Sequence, residues 1–251
     1  MTGRLRILGL GPGAAAQRTP EVSAALAEAT DLIGYGPYLD RVALAPGQRR
    51  HASDNREELD RARHALALAE GGARVAVVSS GDAGVFAMAG AVFEAIEHGP
   101  ASWRALDVQV LPGISALLAV AARLGAPLGH DFCAISLSDN LKPWPLVERR
   151  LAAAAGAGFV LALYNPISRA RPWQLGAAFA ILRDHLPPTT PVAFATAVSR
   201  AEERLLLATL AEADPAGADM RTLVLVGSPA TRVVERPGGA RPWLYTPRSA
   251  G

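Results

Sequence analysis

The chain has 251 residues and a formal net charge of +2 at pH 7. Because 50% of its residues are hydrophobic and 19% are charged, the composition excludes a disordered chain and predicts one large or two small globular domains. A single cysteine, Cys133, excludes an internal disulfide, and no apolar stretch is long enough for a signal peptide or a membrane span, so we expect a cytoplasmic protein.

Apolar runs in the first half of the chain predict buried strands at residues 5–10, 31–35, 74–78 and 108–111. Alanine-rich segments with helical spacing lie between them, for example at 57–71. Strands that alternate with helices are typical of a parallel sheet that is covered on both faces. The first half therefore predicts an α/β domain.

Further strands are predicted in the second half, at residues 132–137, 159–164, 191–196, 204–210 and 221–227. The short polar stretch AVSRAEE separates the third from the fourth, which is too short for a parallel crossover, so this pair should be antiparallel. Residues 125–131 resemble a linker, and the tail 237–251, rich in Pro and Gly, is predicted to be irregular. We predict two α/β domains, 1–120 and 121–251.

Three strands of the first domain end in glycine-rich turns that lead into helices: GLGPG (9–13), SSGDAG (79–84) and PGISA (112–116). Ligands of open α/β sheets bind outside the carboxyl ends of the strands, where glycine allows close approach to the backbone. These turns predict a binding crevice. Asp82, between two glycines, could cap the next helix or accept a hydrogen bond from a polar ligand. The repeated pattern favours the ligand.

Several common kinds of site are not expected. GLGPGA nearly matches a dinucleotide fingerprint, but Pro12 lacks the N–H that would hold a phosphate. The five histidines are scattered and there is no cysteine cluster, so no metal site is predicted. Among 25 basic residues Lys142 is the only lysine, and no long basic block indicates nucleic acid.

Five motifs occur along the chain in this order: GLGPG, SSGDAGVFAMAG, LPGISAL, LYNPISR and TLVLVG. Together they resemble the tetrapyrrole (precorrin) methyltransferases, and the resemblance covers roughly residues 5–240. The resemblance implies the tetrapyrrole methylase fold, not the Rossmann type: two α/β domains with S-adenosylmethionine in the cleft between them. It also implies a small-molecule tetrapyrrole substrate, the product S-adenosylhomocysteine and a homodimer. Because there is neither a long basic block nor a long apolar span, we expect neither nucleic acid nor a membrane as partner. Three segments are most similar to the family members that methylate precorrin-3B at C-17 and contract its ring in cobalamin biosynthesis. They are DLIGYGPYLD (31–40), SLSDNLKPW (136–144) and LYNPISRARPWQL (163–175).

The resemblance implies cofactor-binding residues in both domains. They are Pro12, Gly81, Asp82, Ala83, Val85, Phe86, Ser115, Ala116, Asn165, Ala197 and Thr222. The chain departs from the GDP of many relatives by placing alanine after Asp82, which relaxes the turn but leaves the acid in place.

Ring contraction expels a carbon that carries a hydroxyl, so a proton donor or acceptor should lie near it. The candidates are Lys142, Asp139 and Asn140, together with Tyr35 and Tyr38 in GYGPY. An ordinary polar turn before Pro143 is the alternative for the segment 138–142. Substrate-binding candidates are Tyr35, Tyr38, Arg169 and Arg171. Arginine suits the acetates and propionates of the macrocycle, and a solvated loop is the alternative for the two arginines.

Two other functions stay open. The same fold could methylate another precorrin position or an RNA, although an RNA enzyme should show a basic face with interleaved aromatic residues, which make up only 6% of this chain. A non-enzymatic tetrapyrrole or nucleotide carrier would bind its ligand without turnover.

Overall fold

A computed structural model of the chain describes residues 3–54, 57–168 and 170–249. The chain divides into two compact units, Met1–Ala116 and Leu117–Gly251. Each unit contains its own five-stranded sheet, and the second also contributes a small three-stranded sheet. Within the described part of the chain, no helix combines the length and the apolar character that a membrane crossing requires.

The first unit is built around a parallel sheet with the strand order β3-β2-β4-β1-β5. Its strands are β1 (Arg4–Gly9), β2 (Asp31–Tyr35), β3 (Arg49–Ser53), β4 (Arg74–Ser79) and β5 (Asp107–Leu111). Its helices are α1 (Pro20–Glu28), α2 (Gly36–Leu39), α3 (Glu58–Glu70) and α4 (Met88–His98). Because all five strands run in the same direction, their carboxyl ends share one edge.

The apolar runs form central strands because both of their faces are buried. Leu5 and Ile7 pack into a cluster on one face of the sheet, whereas Leu8 packs into a cluster on the other face. Such strands carry consecutive apolar residues rather than alternating ones, as in VAVV of β4, which the sequence predicted.

The edge strand β3 was not predicted, because its sequence RRHAS is polar. It pairs with β2, whose first residue, Asp31, is completely buried. Asp31 accepts a hydrogen bond from Arg49 (2.9 Å) and another from the Thr30 hydroxyl (2.8 Å), and His51 Nε2 lies 2.8 Å from its Oδ1. Burial acts to raise the pKa of this carboxyl, but the hydrogen bonds outweigh burial and lower the pKa to about 2.

The second unit contains a mixed sheet with the strand order β10-β9-β11-β8-β7. Its strands are β7 (Phe132–Ser136), β8 (Val160–Tyr164), β9 (Pro191–Thr196), β10 (Arg204–Thr209) and β11 (Thr222–Val226). Its helices are α5 (Ala116–Leu124), α6 (Trp144–Gly156) and α7 (Gln174–Arg183). β9 and β10 are antiparallel, as predicted. β7 and β8 are parallel and β11 is antiparallel to both β8 and β9, so the ends of β7, β8 and β9 share an edge with the start of β11.

The expected linker and the expected irregular tail each contain a short strand that was not predicted. β6 (Gly125–Ala126) lies within the linker, and β13 (Trp243–Tyr245) lies within the tail; β13 pairs with β6 and with β12 (Arg232–Val234). The Thr246 hydroxyl also donates to the carbonyl of Pro127 (2.6 Å). Short 3-10 turns complete the chain at Ala15–Gln17, Ala101–Ala105, Pro215–Gly217 and Pro237–Gly239.

Candidate functional site

At the carboxyl edge of the first sheet, the three glycine-rich turns pack backbone against backbone. The amides of Gly11 and Gly81 each donate to the other's carbonyl at 3.0 Å. A Cβ at Gly113 would lie 2.3 Å from the carbonyl oxygen of Gly81 and 2.5 Å from that of Gly9. These glycines therefore allow the turns to contact each other, which is a different reason from the ligand approach expected from the sequence.

Asp82 joins two of these turns. Its Oδ1 accepts from the amide of Gly84 (2.8 Å), and its Oδ2 accepts from the amide of Gly113 (3.0 Å). Helix α4 begins only at Met88, with Ala87 at its N-cap, so the interpretation of Asp82 as a helix cap is wrong. Each carboxylate oxygen has a second lone pair, which leaves Asp82 able to accept a further bond from a ligand.

The residues after Asp82 divide into a core residue and two exposed ones. Ala83 is fully buried in the core, whereas Val85 and Phe86 are 36% and 52% exposed. Phe86 has a φ of 50°, which is unusual for a bulky side chain. The turn thus presents apolar side chains outward, beside the strand ends.

The remaining first-unit candidates lie at the same edge. Pro12 and Ser115 are buried. A Cβ added at Gly81 would lie 3.7 Å from the amide nitrogen of Ala116, the residue at which α5 begins. Arg41 was not singled out from the sequence. It donates to the Gly11 carbonyl and to the Ser80 hydroxyl, both at 2.9 Å, and so links the turns after β1 and β4.

The two candidate tyrosines follow the neighbouring strand. Tyr35 ends β2 and Tyr38 lies in α2, with their rings perpendicular and their centroids 5.2 Å apart. Both side chains are half-buried. The turns after β1, β2, β4 and β5 therefore bring together the first-unit residues that the sequence predicted.

At the strand-end edge of the second sheet, Asn165, Ala197 and Thr222 lie on adjacent strand ends. Asn165 follows β8 and donates through Nδ2 to the Ser136 hydroxyl at the end of β7 (2.9 Å). Thr222 begins β11 opposite Thr196, and their hydroxyl oxygens lie 2.8 Å apart. Ala197 follows β9, and its amide donates to the carbonyl of Arg221 (3.1 Å).

Backbone conformation singles out several of these residues. Among residues 3–54, 57–168 and 170–249, the non-glycine residues with positive φ are Phe86 (50°), Asn165 (52°), Ala197 (50°) and Ser199 (63°). The first three are cofactor-binding candidates. Since such conformations are costly and cluster at functional sites, they support these three positions independently of sequence motifs.

The segment 138–142 contains a paired acid and a partly buried amine. Asp139 accepts from Arg171 (2.6 Å) and from Gln174 (2.9 Å), and the Arg171 hydrogen bond lowers the pKa of Asp139 below its usual range. The amine of Lys142 donates to the Ser138 carbonyl (3.1 Å). Burial lowers the pKa of Lys142, and the charge of Arg150 acts in the same direction. Burial and the Arg150 charge thus favour the neutral amine of Lys142, whereas the Arg171 hydrogen bond favours the ionised carboxylate of Asp139.

Two other candidates contribute less to the geometry. Asn140 is exposed, and its backbone amide donates to the Ser138 hydroxyl (3.4 Å). Arg169 lies outside the described residues. In the part of the chain that the structure describes, no three His, Cys, Asp or Glu side chains are grouped as metal ligands.

Comparison with known proteins places this geometry in a family. The model of the family described as Tetrapyrrole (Corrin/Porphyrin) Methylases matches residues 4–214. A precorrin-3B C(17)-methyltransferase of Sinorhizobium sp is 61% identical over 248 residues, which cover 99% of this chain and 97% of that protein. A probable cobalt-factor III C(17)-methyltransferase of Salmonella typhimurium is 42% identical over 232 residues, which cover 91% and 94%.

Solved structures of methyltransferases are also similar to this chain. The crystal structure of the methyltransferase CobJ is 53% identical, with a TM-score of 0.92 over 98% of this chain and 100% of that chain. A uroporphyrin-III C-methyl transferase from Thermus thermophilus, complexed with S-adenyl homocysteine, is 25% identical, with a TM-score of 0.70 over 90% and 97%. The resemblance seen in the sequence motifs is confirmed, and the chain belongs to the tetrapyrrole (corrin/porphyrin) methylases.

Proposed function

We propose that this protein transfers a methyl group from S-adenosylmethionine to C-17 of precorrin-3B and contracts the macrocycle to give precorrin-4. The observation that carries this proposal is the similarity over nearly the whole chain to a precorrin-3B C(17)-methyltransferase. The strand-end residues described above are compatible with a cofactor that has both polar and apolar parts.

S-adenosylmethionine supplies an electrophilic methyl group on a positively charged sulfur. The chain offers matching donors, acceptors and apolar surface for it. The carboxylate of Asp82 can accept from an ammonium or a hydroxyl group. Beside Thr222, whose hydroxyl donates to Asp219 Oδ1 (2.9 Å), backbone groups of the strand ends supply the polar contacts. The exposed side chains of Val85 and Phe86 provide apolar contact.

We assign cofactor binding to the candidates at the two edges. They are Pro12, Gly81, Asp82, Val85, Phe86, Ser115 and Ala116 in the first unit, and Asn165, Ala197 and Thr222 in the second. Ala83 is assigned a packing role under Asp82, because its side chain is buried in the core. Methyl transfer itself depends mainly on alignment in a site that excludes water.

Ring contraction requires a group that exchanges a proton with the hydroxyl of the substrate, and we assign this step to Lys142. Its lowered pKa increases the neutral fraction of the amine near the operating pH. Asp139 is ionised and paired, so we assign it the task of orienting Arg171. Tyr35 and Tyr38 are assigned to substrate contact, beside the turn after β2.

We also propose that the enzyme is cytoplasmic and acts as a homodimer, as its resemblance to the family implies. Sedimentation equilibrium should give twice the chain mass of 26.1 kDa. A monomer mass at assay concentrations would contradict the homodimer without affecting the proposed reaction.

A substrate panel with radiolabelled S-adenosylmethionine tests the function. Label should enter precorrin-3B and should not enter uroporphyrinogen III or RNA. Cobalt-factor III is the matched comparison substrate, because relatives named for it are also similar, at 42% identity. Faster labelling of cobalt-factor III would move the assignment to the cobalt-containing macrocycle, and binding without any labelling would favour a carrier.

A further inference from the structure

The turn after β9 holds two non-glycine residues in the left-handed conformation. Ala197 and Ser199 have φ values of 50° and 63° and are 3% and 9% exposed. Residues other than Gly, Asn and Asp rarely adopt this conformation, because Cβ then approaches the backbone too closely. Other contacts must therefore hold this turn in place.

A carboxylate clamps the turn. Glu203 Oε2 accepts from the amide of Ser199 at 2.6 Å, which is short for a bond from a backbone N–H. The amide of Arg200 donates to the Ala197 carbonyl (3.0 Å), and the amide of Glu203 donates to the Arg200 carbonyl (3.1 Å). The loop is thereby closed on itself, with Glu203 bonded to Ser199, one of its two left-handed residues.

The clamp is anchored by a residue distant in sequence. Arg123, in the last turn of α5, places Nε 3.1 Å from both carboxylate oxygens of Glu203. Its Nη2 also donates to the Ser199 hydroxyl (3.4 Å). Since a charge-assisted pair fixes the carboxylate in one rotamer, the position of Glu203 is set by α5 as well as by its own loop.

The clamped turn is continuous with the proposed cofactor residues. The Ala197 amide donates to the carbonyl of Arg221, the residue before Thr222, whose hydroxyl lies 2.8 Å from that of Thr196. A change in the conformation of Ser199 would therefore move Ala197 relative to Thr222. Binding groups must be held within a fraction of an ångström to be effective.

We propose that Glu203, oriented by Arg123, is a positioning residue for S-adenosylmethionine: it holds Ser199, and through it Ala197, in the left-handed conformation that cofactor binding needs. The inference rests on the proposed function, because it takes Ala197 as a cofactor contact. It predicts that glycine at position 199 removes the need for the clamp, since glycine adopts this conformation without strain.

Isothermal titration of S-adenosylmethionine into purified full-length protein tests the inference. Glu203→Ala should raise Kd about tenfold, and Glu203→Gln less, because its amide oxygen can still accept from Ser199. Adding Ser199→Gly to Glu203→Ala should bring Kd back to within about threefold of the wild type. Glu212→Ala is the matched control: Glu212 accepts from Thr209 at the opposite end of β10, and its loss should leave Kd unchanged.

The recovery by Ser199→Gly separates positioning from general stability. A merely structural clamp would lower the melting temperature without a glycine-dependent recovery of affinity. Wild-type affinity in Glu203→Ala, or a loss that Ser199→Gly does not recover, would overturn the inference. If Glu203→Ala does not fold, the Glu203→Gln variant with and without Ser199→Gly is measured in its place. A wild-type protein that binds no S-adenosylmethionine would overturn the proposed function and this inference with it.

Discussion

Replacing Asp82 by alanine should weaken both the first unit and cofactor binding. The carboxylate accepts from two backbone amides, of Gly84 and Gly113, at 2.8 and 3.0 Å. A hydrogen bond to a charged group contributes about 1.5–3 kcal/mol. Because the side chain is half-buried, we take the lower end for each bond and expect a loss of about 2–3 kcal/mol in the free energy of unfolding.

The loss should be visible in thermal unfolding followed by circular dichroism. For a protein of this size it corresponds to a fall of roughly 5–10 °C in melting temperature. Asp82→Asn keeps one acceptor oxygen but directs an NH₂ group at the second amide, so it should fall between alanine and the wild type. Asp60→Ala is the control, because Asp60 is 77% exposed and should change the free energy by less than about 0.5 kcal/mol.

Titration of S-adenosylmethionine into the same variants separates the two roles of Asp82. Both variants should bind more weakly than the wild type if the carboxylate also contacts the cofactor. An unchanged melting temperature in Asp82→Ala would show that the two hydrogen bonds do not stabilise the first unit. A lower melting temperature with unchanged affinity would limit Asp82 to joining the turns.

Three further results are expected. Because the folded-state pKa of Asp31 is lowered from 3.8 to about 2, its ionised form should contribute about 2 kcal/mol above pH 4. This contribution is lost as the pH falls towards 2. In urea titrations, the difference in the free energy of unfolding between wild type and Asp31→Asn should therefore shrink over that range. A difference that does not depend on pH would contradict this expectation. Gly113→Ala should lower the free energy of unfolding by about 3 kcal/mol or more, because its Cβ would lie 2.3 Å from a carbonyl oxygen. Its control is Gly90→Ala in α4, where the Cβ meets open space; this change should raise the free energy of unfolding by roughly 0.5–1 kcal/mol. Lys142→Ala should bind S-adenosylmethionine normally but form ring-contracted product slowly, and Lys142→Arg should not restore the rate; a raised KM with normal kcat would instead indicate that Lys142 pairs with a substrate carboxylate.

The sequence predicted the central strands well because burial on both faces leaves a strong apolar signal. It missed β3, whose polar residues are held by pairing and by buried Asp31. It also missed β6 and β13, because these short strands pair across a large sequence separation; the nearby bond between Thr246 and Pro127 spans 119 positions. Strands that pair over such a sequence separation leave no pattern in the local sequence.

At the site, the glycine-rich strand ends were predictable because their turns have a composition that a parallel sheet brings to one edge. Three other features could not be predicted, because each depends on the conformation of a loop. They are the hydrogen bonds of Asp82, the link made by Arg41 and the clamp of Glu203. The left-handed backbone at Ala197 and Ser199 also has no sequence signal, because glycine, the residue that would indicate it, is absent there.

The position of the transferred methyl group tests the proposed C-17 methylation most directly. The purified enzyme is incubated with precorrin-3B and S-adenosylmethionine that carries ¹³C in its methyl group, and the product is examined by NMR. We expect the label at C-17 of a contracted macrocycle. A label at another ring carbon, or a macrocycle that leaves the reaction unlabelled, would contradict it.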